Sequence, residues 1–143
     1  MLTLTQIKNR LKDYLNNHAQ VNSVVVADDF EFNAERNLNY PAVNIEYVNA
    51  DMSDKLMIYS FRIVIGDLVS ADEPELQLEV HSDCLLIAED LFSFLQYQDD
   101  WLFRKTSSIN KFVDDSGDRV SGVEFRINIS VVRSQNPCAA PVK

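Results

Sequence analysis

The sequence predicts an α+β fold, a mainly antiparallel β-sheet packed against a long helix, in the order α-β-β-β-α-β-β. Three observations carry that expectation. Met57, Tyr59, Phe61, Ile63 and Ile65 occupy one face of a segment whose other face holds Ser60 and Arg62, the period of two expected of a half-buried strand. The same alternation returns at Val123, Phe125, Ile127, Ile129 and Val131, set against Glu124, Arg126, Asn128 and Ser130. Two other stretches repeat apolar residues at spacings of three and four, as helices resting on one sheet face do.

In chain order, residues 3–18 read as an amphipathic helix. Leu4, Ile7, Leu11, Tyr14 and Leu15 form its apolar stripe, with Lys8, Asn9, Lys12 and Asp13 opposite. Thr3 or Thr5 supplies the N-cap, and Asn16-Asn17 offers the stop. Asn22-Ser23-Val24-Val25-Val26-Ala27 is β-branched, short and apolar enough for a buried strand. Phe30-Glu31-Phe32 reads as resumed extended chain, and residues 33–39 as a polar loop. Tyr40-Pro41 opens the second strand, in which Val43, Ile45 and Tyr47 alternate with Asn44 and Glu46, because Pro is tolerated at a strand start. Residues 49–55 read as the turn, and Gly66 as the end of the third strand.

The long helix is expected over 72–98. Asp72 as N-cap with Glu75 three residues on makes a capping-box variant, and Pro74 sits in the first turn, where a missing N–H costs little. Its stripe is Leu76, Val80, Cys84, Ile87, Leu91 and Phe94 or Leu95. Leu85, Leu86 and Phe92 widen that stripe, which reads first as a thick core and second as a partner surface. Trp101, with Leu102 and Phe103, reads as packing beneath the helix, with an exposed partner contact as the sharper alternative. A final hairpin pairs 108–113 with 123–131 through Asp114-Asp115-Ser116-Gly117-Asp118. Residues 1–134 thus read as one domain. Residues 135–143, stiffened by Pro137 and Pro141, read as an extended arm.

The chain has 143 residues and 13 Lys plus Arg against 22 Asp plus Glu, a formal charge of −9. That balance argues against a dedicated nucleic-acid-binding module, which carries a basic patch. No apolar run approaches the ~20 residues of a membrane-spanning helix, and no signal-peptide pattern opens the chain. Residence in a cytosol and no membrane association are therefore expected.

No motif announces chemistry. Gly66, Gly117 and Gly122 are the only glycines, too scattered for a phosphate loop. Cys84 and Cys138 make no disulfide framework, and Cys84 reads as a buried, inert thiol. His18 and His81 lack companions at metal-ligand spacing. The carboxylate pairs at Asp28-Asp29, Asp72-Glu73, Glu89-Asp90, Asp99-Asp100 and Asp114-Asp115 read as solvated faces and turns. No catalytic, cofactor-binding or metal-binding residue is assigned, no cofactor is expected, and the chain is expected not to be an enzyme.

The element order over residues 3–133 resembles that of the tail-terminator and tail-completion proteins at the neck of tailed bacteriophages. The stretches that carry the likeness are Leu4-Thr5-Gln6-Ile7-Lys8, Pro41-Ala42-Val43-Asn44-Ile45-Glu46, the 72–98 helix and Val123-Glu124-Phe125-Arg126-Ile127-Asn128-Ile129. The likeness lies in order and size, since that family has no diagnostic motif, and the Pro-containing arm departs from a minimal terminator toward a connector-ring or stopper protein. The resemblance implies a structural subunit of the virion, made in the host cytoplasm. It forms a homo-oligomeric ring, a hexamer or dodecamer, that caps the tail tube or joins it to the head-side connector. Its partners would be copies of itself and the neighbouring neck, portal-side and tail-tube proteins, with DNA only passing through the lumen. An acidic lumen would let the duplex slide, and Asp28, Asp29, Asp51 and Asp54 are its candidate lumen or contact loops. In the arm, Pro137, Cys138, Pro141 and Val142 are candidate partner contacts, beside Trp101. A small cytosolic adaptor or regulatory binding module stands as the other reading.

Overall fold

Thr3 closes the first turn of α1 (Leu4–Asn16) with a reciprocal capping box. The Gln6 N–H donates to Thr3 Oγ1 at 3.2 Å, and the Thr3 N–H donates to Gln6 Oε1 at 2.9 Å, so two otherwise orphaned donors are satisfied. The apolar stripe then does what its spacing demands: Ile7, Leu11 and Leu15 are fully buried. The computed structural model describes residues 2–28, 38–69, 73–105, 108–114 and 119–133. The expected Phe30-Glu31-Phe32 extension, most of the polar loop after it and the C-terminal arm lie outside them.

The fold is α+β, and the described residues form two helices on one mixed sheet of six strands. β1 (Ser23–Val26) runs parallel to β2 (Ala42–Met52), and every other pairing is antiparallel. β2 pairs with β3 (Leu56–Leu68), and β3 pairs along its whole length with β6 (Val120–Val132). The far edge of β6 is shared by two short strands: β4 (Leu102–Lys105) covers Ile127–Ser130, and β5 (Asn110–Asp114) covers Val120–Glu124. β4 is an addition to the expected order. Its partner edge recruits it, since Leu102-Phe103-Arg104-Lys105 has no alternation of its own.

Two expected boundaries move. The turn expected over 49–55 shrinks to its last three residues, because β2 continues to Met52 past a bulge between Tyr47 and Asn49. Ser53 closes the turn: its N–H donates to Leu56 O at 2.9 Å and its Oγ accepts from Leu56 N–H at 3.0 Å. Gly66 does not end β3; it pairs with Ala42 on one side and Gly122 on the other. Ladder pairing thus overrides the local preference of polar residues and glycine for turns.

The second helix, α2 (Pro74–Gln96), starts with Glu73 at the N-cap position without a side-chain cap bond. This corrects the capping box expected from Asp72 and Glu75; Asp72 lies outside the described residues. Pro74 stands at the start of the helix, where its fixed φ and missing N–H suit the first turn.

Both helices lie on the sheet face built from Phe61, Ile63, Ile65, Phe125, Ile127 and Ile129, together with Val43 and Ile45. Tyr14 stacks on Phe94 with ring centroids 4.2 Å apart and donates its hydroxyl to Asp90 O at 3.1 Å, tying α1 to α2. His18 completes the clasp. Gln20 N–H donates to its Nδ1 at 3.1 Å, which leaves Nε2 to donate to Asp90 Oδ2 at 2.8 Å. The opposite sheet face is polar at its centre. Arg62 bridges Glu46 (3.3 Å) and Glu124, while Ser60 Oγ donates to Asn128 Oδ1 at 2.7 Å. Asn44 is fully buried there, and its amide exchanges two hydrogen bonds with the backbone of Ala27 (3.2 and 3.1 Å), fastening the end of β1 to β2.

Candidate functional site

The wide apolar stripe of α2 divides in two. Val80, Cys84, Ile87, Ala88, Leu91 and Leu95 are buried against the sheet. Phe92 is partly buried and packs on Phe103 and Phe125 with centroids 5.6 and 4.9 Å apart. Leu85 and Leu86, read first as core, are instead exposed, joined by Leu78 at 70% and by Tyr97. Leu76, expected in the stripe, is also exposed. Leu78 and Leu85 stand two turns apart on one side of the helix and Leu86 about 100° further round, so α2 carries exposed leucines set among exposed Ser82, Asp83 and Glu89. In the sequence Leu78 was masked by Leu76 and Val80 on either side, which fit the stripe equally well.

Trp101 is only 5% exposed. It packs beneath the end of α2, donating Nε1–H to Leu95 O at 3.0 Å, and the Arg10 guanidinium sits 5.2 Å from its ring centroid. The ring is thus largely covered, while Trp101 still contributes to the lining of the groove beside it. Arg10 is held in turn by a two-point pair with Asp100, 2.7 and 2.6 Å. That pairing draws the Asp100 carboxyl below its ordinary range.

An open groove of about 630 Å³ lies beside this residue. Leu2, Leu56, Leu102 and Val132 give it apolar walls, and Asp99 and Asp100 its acidic end. It sits where β6 outruns β4, since Leu102, the first residue of β4, pairs with Ser130.

The acidic loop residues do not converge. Asp51 and Asp54 flank the β2–β3 turn, both exposed. Asp28 is exposed past the end of β1, which stops opposite Ile45, well short of Asp51 along β2. Asp29, Pro137, Cys138, Pro141 and Val142 lie outside the described residues. Among the described residues no group of three His, Cys, Asp or Glu side chains is placed to hold a metal ion, and no helix is long and apolar enough to cross a membrane.

One Ser–His contact, without a spacing signal, escaped the sequence. His81 Nε2 lies 2.6 Å from Ser121 Oγ, which also receives the Gln77 amide (3.3 Å) and faces Phe112 O at 3.3 Å. Ser121 is fully buried between β5 and α2, so its hydroxyl cannot meet an incoming substrate; the cluster joins the helix to the hairpin. Cys84, buried under α2, has its thiol pushed up to about 12 by burial, with smaller contributions from Asp67 and Asp83. It stays a neutral thiol at physiological pH, which fits its reading as inert.

The His81 cluster makes a pH prediction. Burial, and then the charge of Lys111, lowers the His81 pKa from 6.5. As pH falls the unfolded chain takes up this proton before the folded one. The His81 contribution to stability is therefore complete above its unfolded pKa and is lost as pH falls toward the lower folded value. His81→Gln should flatten the fall in melting temperature between about pH 7.5 and 5.5 relative to the parent, a difference in which unchanged carboxylates cancel. Melting curves at matched ionic strength check it; parallel profiles would remove His81 from the pH response. Compared with known proteins, the chain matches no family model and no curated sequence.

Proposed function

We propose that this chain is a non-enzymatic structural subunit of a phage neck or tail, assembling with copies of itself into a ring that caps the tail tube or joins it to the head-side connector. The observation that carries the reading is the outer face of α2. Leu78 at 70% and Leu86 at 51% exposure, with Leu85 also exposed, leave apolar side chains on α2 that a second subunit would shield from water. A patch on one side of a subunit that meets a different surface on the next makes a head-to-tail contact, and such contacts close into rings when the rotation allows.

The sequence's likeness in element order to the tail-terminator proteins supports the same reading, with β4 a strand beyond the order on which that likeness rests. The net charge of −9 suits a lumen that passes DNA without holding it; of the candidate acidic loops, Asp51 and Asp54 share one turn and Asp28 stands apart from them. Mass spectrometry of purified virions from a phage encoding the chain tests the proposal. The protein is expected among the structural proteins in a low, ring-like copy number, and its absence from particles would overturn a virion role.

A further inference from the structure

We infer that the groove at the end of β6 receives residues 134–143 of a second copy of this chain, an inference that rests on the ring proposed above. The departure point is fixed. The Arg133 N–H donates to Lys55 O at 2.8 Å, and its guanidinium donates to Ser53 O at 2.8 Å and Asp54 O at 3.3 Å. Ten residues follow, which extended would reach about 33 Å, enough to cross onto an adjoining subunit.

The groove offers both apolar surface and backbone. Val132 is 72% exposed and Leu102 60%, so neighbouring strands leave apolar surface uncovered there. Successive residues of a strand turn their N–H and C=O groups to opposite edges. Since the Arg133 N–H turns toward the β3 side to reach Lys55 O, Val132 turns its groups to the β4 side, where β4 begins only opposite Ser130. Val132 therefore presents an edge that an extended segment can pair with.

Residues 134–143 have matching chemistry. Cys138, Ala139, Ala140 and Val142 are small enough for a shallow apolar groove, and Lys143, the one charged side chain of the segment, complements Asp99 at the groove's acidic end. Pro137 and Pro141 are four residues apart, so in an extended strand both missing N–H groups fall on the same edge. The N–H groups of Cys138, Ala140 and Val142 all fall on the other, which is left whole for pairing. A strand built in this way pairs on one side and blocks further addition on the other. Folded back on its own copy, the segment would run antiparallel to β6 and meet β4 at Ser130 within about three residues. A neighbour's segment finds β4 on that edge too, but it need not reverse direction at Arg133 and can enter the groove from beyond the end of β6.

The test joins Leu102→Cys to the native Cys138 in the full chain, with copper phenanthroline as oxidant; the buried Cys84 thiol serves as an internal bystander. The expected result is a ladder of disulfide-linked multimers on a non-reducing gel that collapses with dithiothreitol. Deleting residues 134–143 should remove the ladder and raise the concentration needed for ring assembly by roughly tenfold or more, with the melting temperature nearly unchanged. Rings that form equally well without the segment, and no ladder, overturn the inference while leaving the ring reading intact. A monomer at every concentration overturns both; with an intramolecular disulfide it shows the groove serving its own chain.

Discussion

Ile127→Asp should come close to abolishing the folded state. Ile127 is fully buried at the middle of β6, paired across to Phe61 on one side and to Lys105 on the other. Its side chain sits in the layer between the sheet and the two helices, where an ionised carboxylate finds no partner and loses its water. Burial of an unpaired charge is among the few mechanisms that cost more than ~4 kcal/mol. In a domain of this size that corresponds to a drop in melting temperature of roughly 10–20 °C, if the variant folds at all. Val132→Asp, on the same strand but largely exposed, is the control and should melt within a few degrees of the parent. Thermal melts followed by circular dichroism check the pair, and an Ile127→Asp protein that melts like the parent would mean the buried face of β6 is misassigned.

Gly122→Ala is expected to be nearly as damaging, although it adds a single methyl group. A Cβ at Gly122 would lie 1.8 Å from Ile65 O, 2.8 Å from Ile65 C and 2.9 Å from Gly66 Cα. All three are backbone atoms of β3, so no side chain can swing away to relieve the clash. The two long central strands would have to part where Gly66 and Gly122 face each other. Overpacking that only rotamers must absorb costs about 1–3 kcal/mol; here the ladder itself must yield, and about 3–5 kcal/mol is expected. Denaturant unfolding of the two proteins measures it. A midpoint shift equivalent to less than about 1 kcal/mol would show that β3 and β6 are not held this closely.

These two positions also mark what a reader of the sequence could and could not see. Ile127 was legible because β6 has a buried and a polar face, so five apolar residues alternate without interruption and the period alone gives the strand. Gly122 was visible only as a glycine near a turn; its need for the absence of a Cβ comes from β3, more than fifty residues earlier in the chain. β4 was hidden for a related reason. Leu102-Phe103-Arg104-Lys105 has no pattern, and it becomes a strand because Ile127–Ser130 leaves an edge to be covered. On α2 the buried side was legible from Val80, Cys84, Ile87 and Leu91, but the extra leucines could be placed in a thicker core equally well. Only the packing of α1 against the other flank, through Tyr14 on Phe94, shows which side of α2 is left uncovered. The same holds for Trp101, whose exposure depends on Arg10 and Leu95 and not on its neighbours in the chain.

Self-assembly into a closed ring is the claim on which the rest depends, and electron microscopy of the purified full chain over a range of concentrations tests it most directly. Ring-shaped particles of uniform subunit number with an open centre are expected, stable on dilution into the low micromolar range. Particles that remain monomeric at every concentration would contradict the claim and favour a small adaptor that meets its partner through the same outer face of α2.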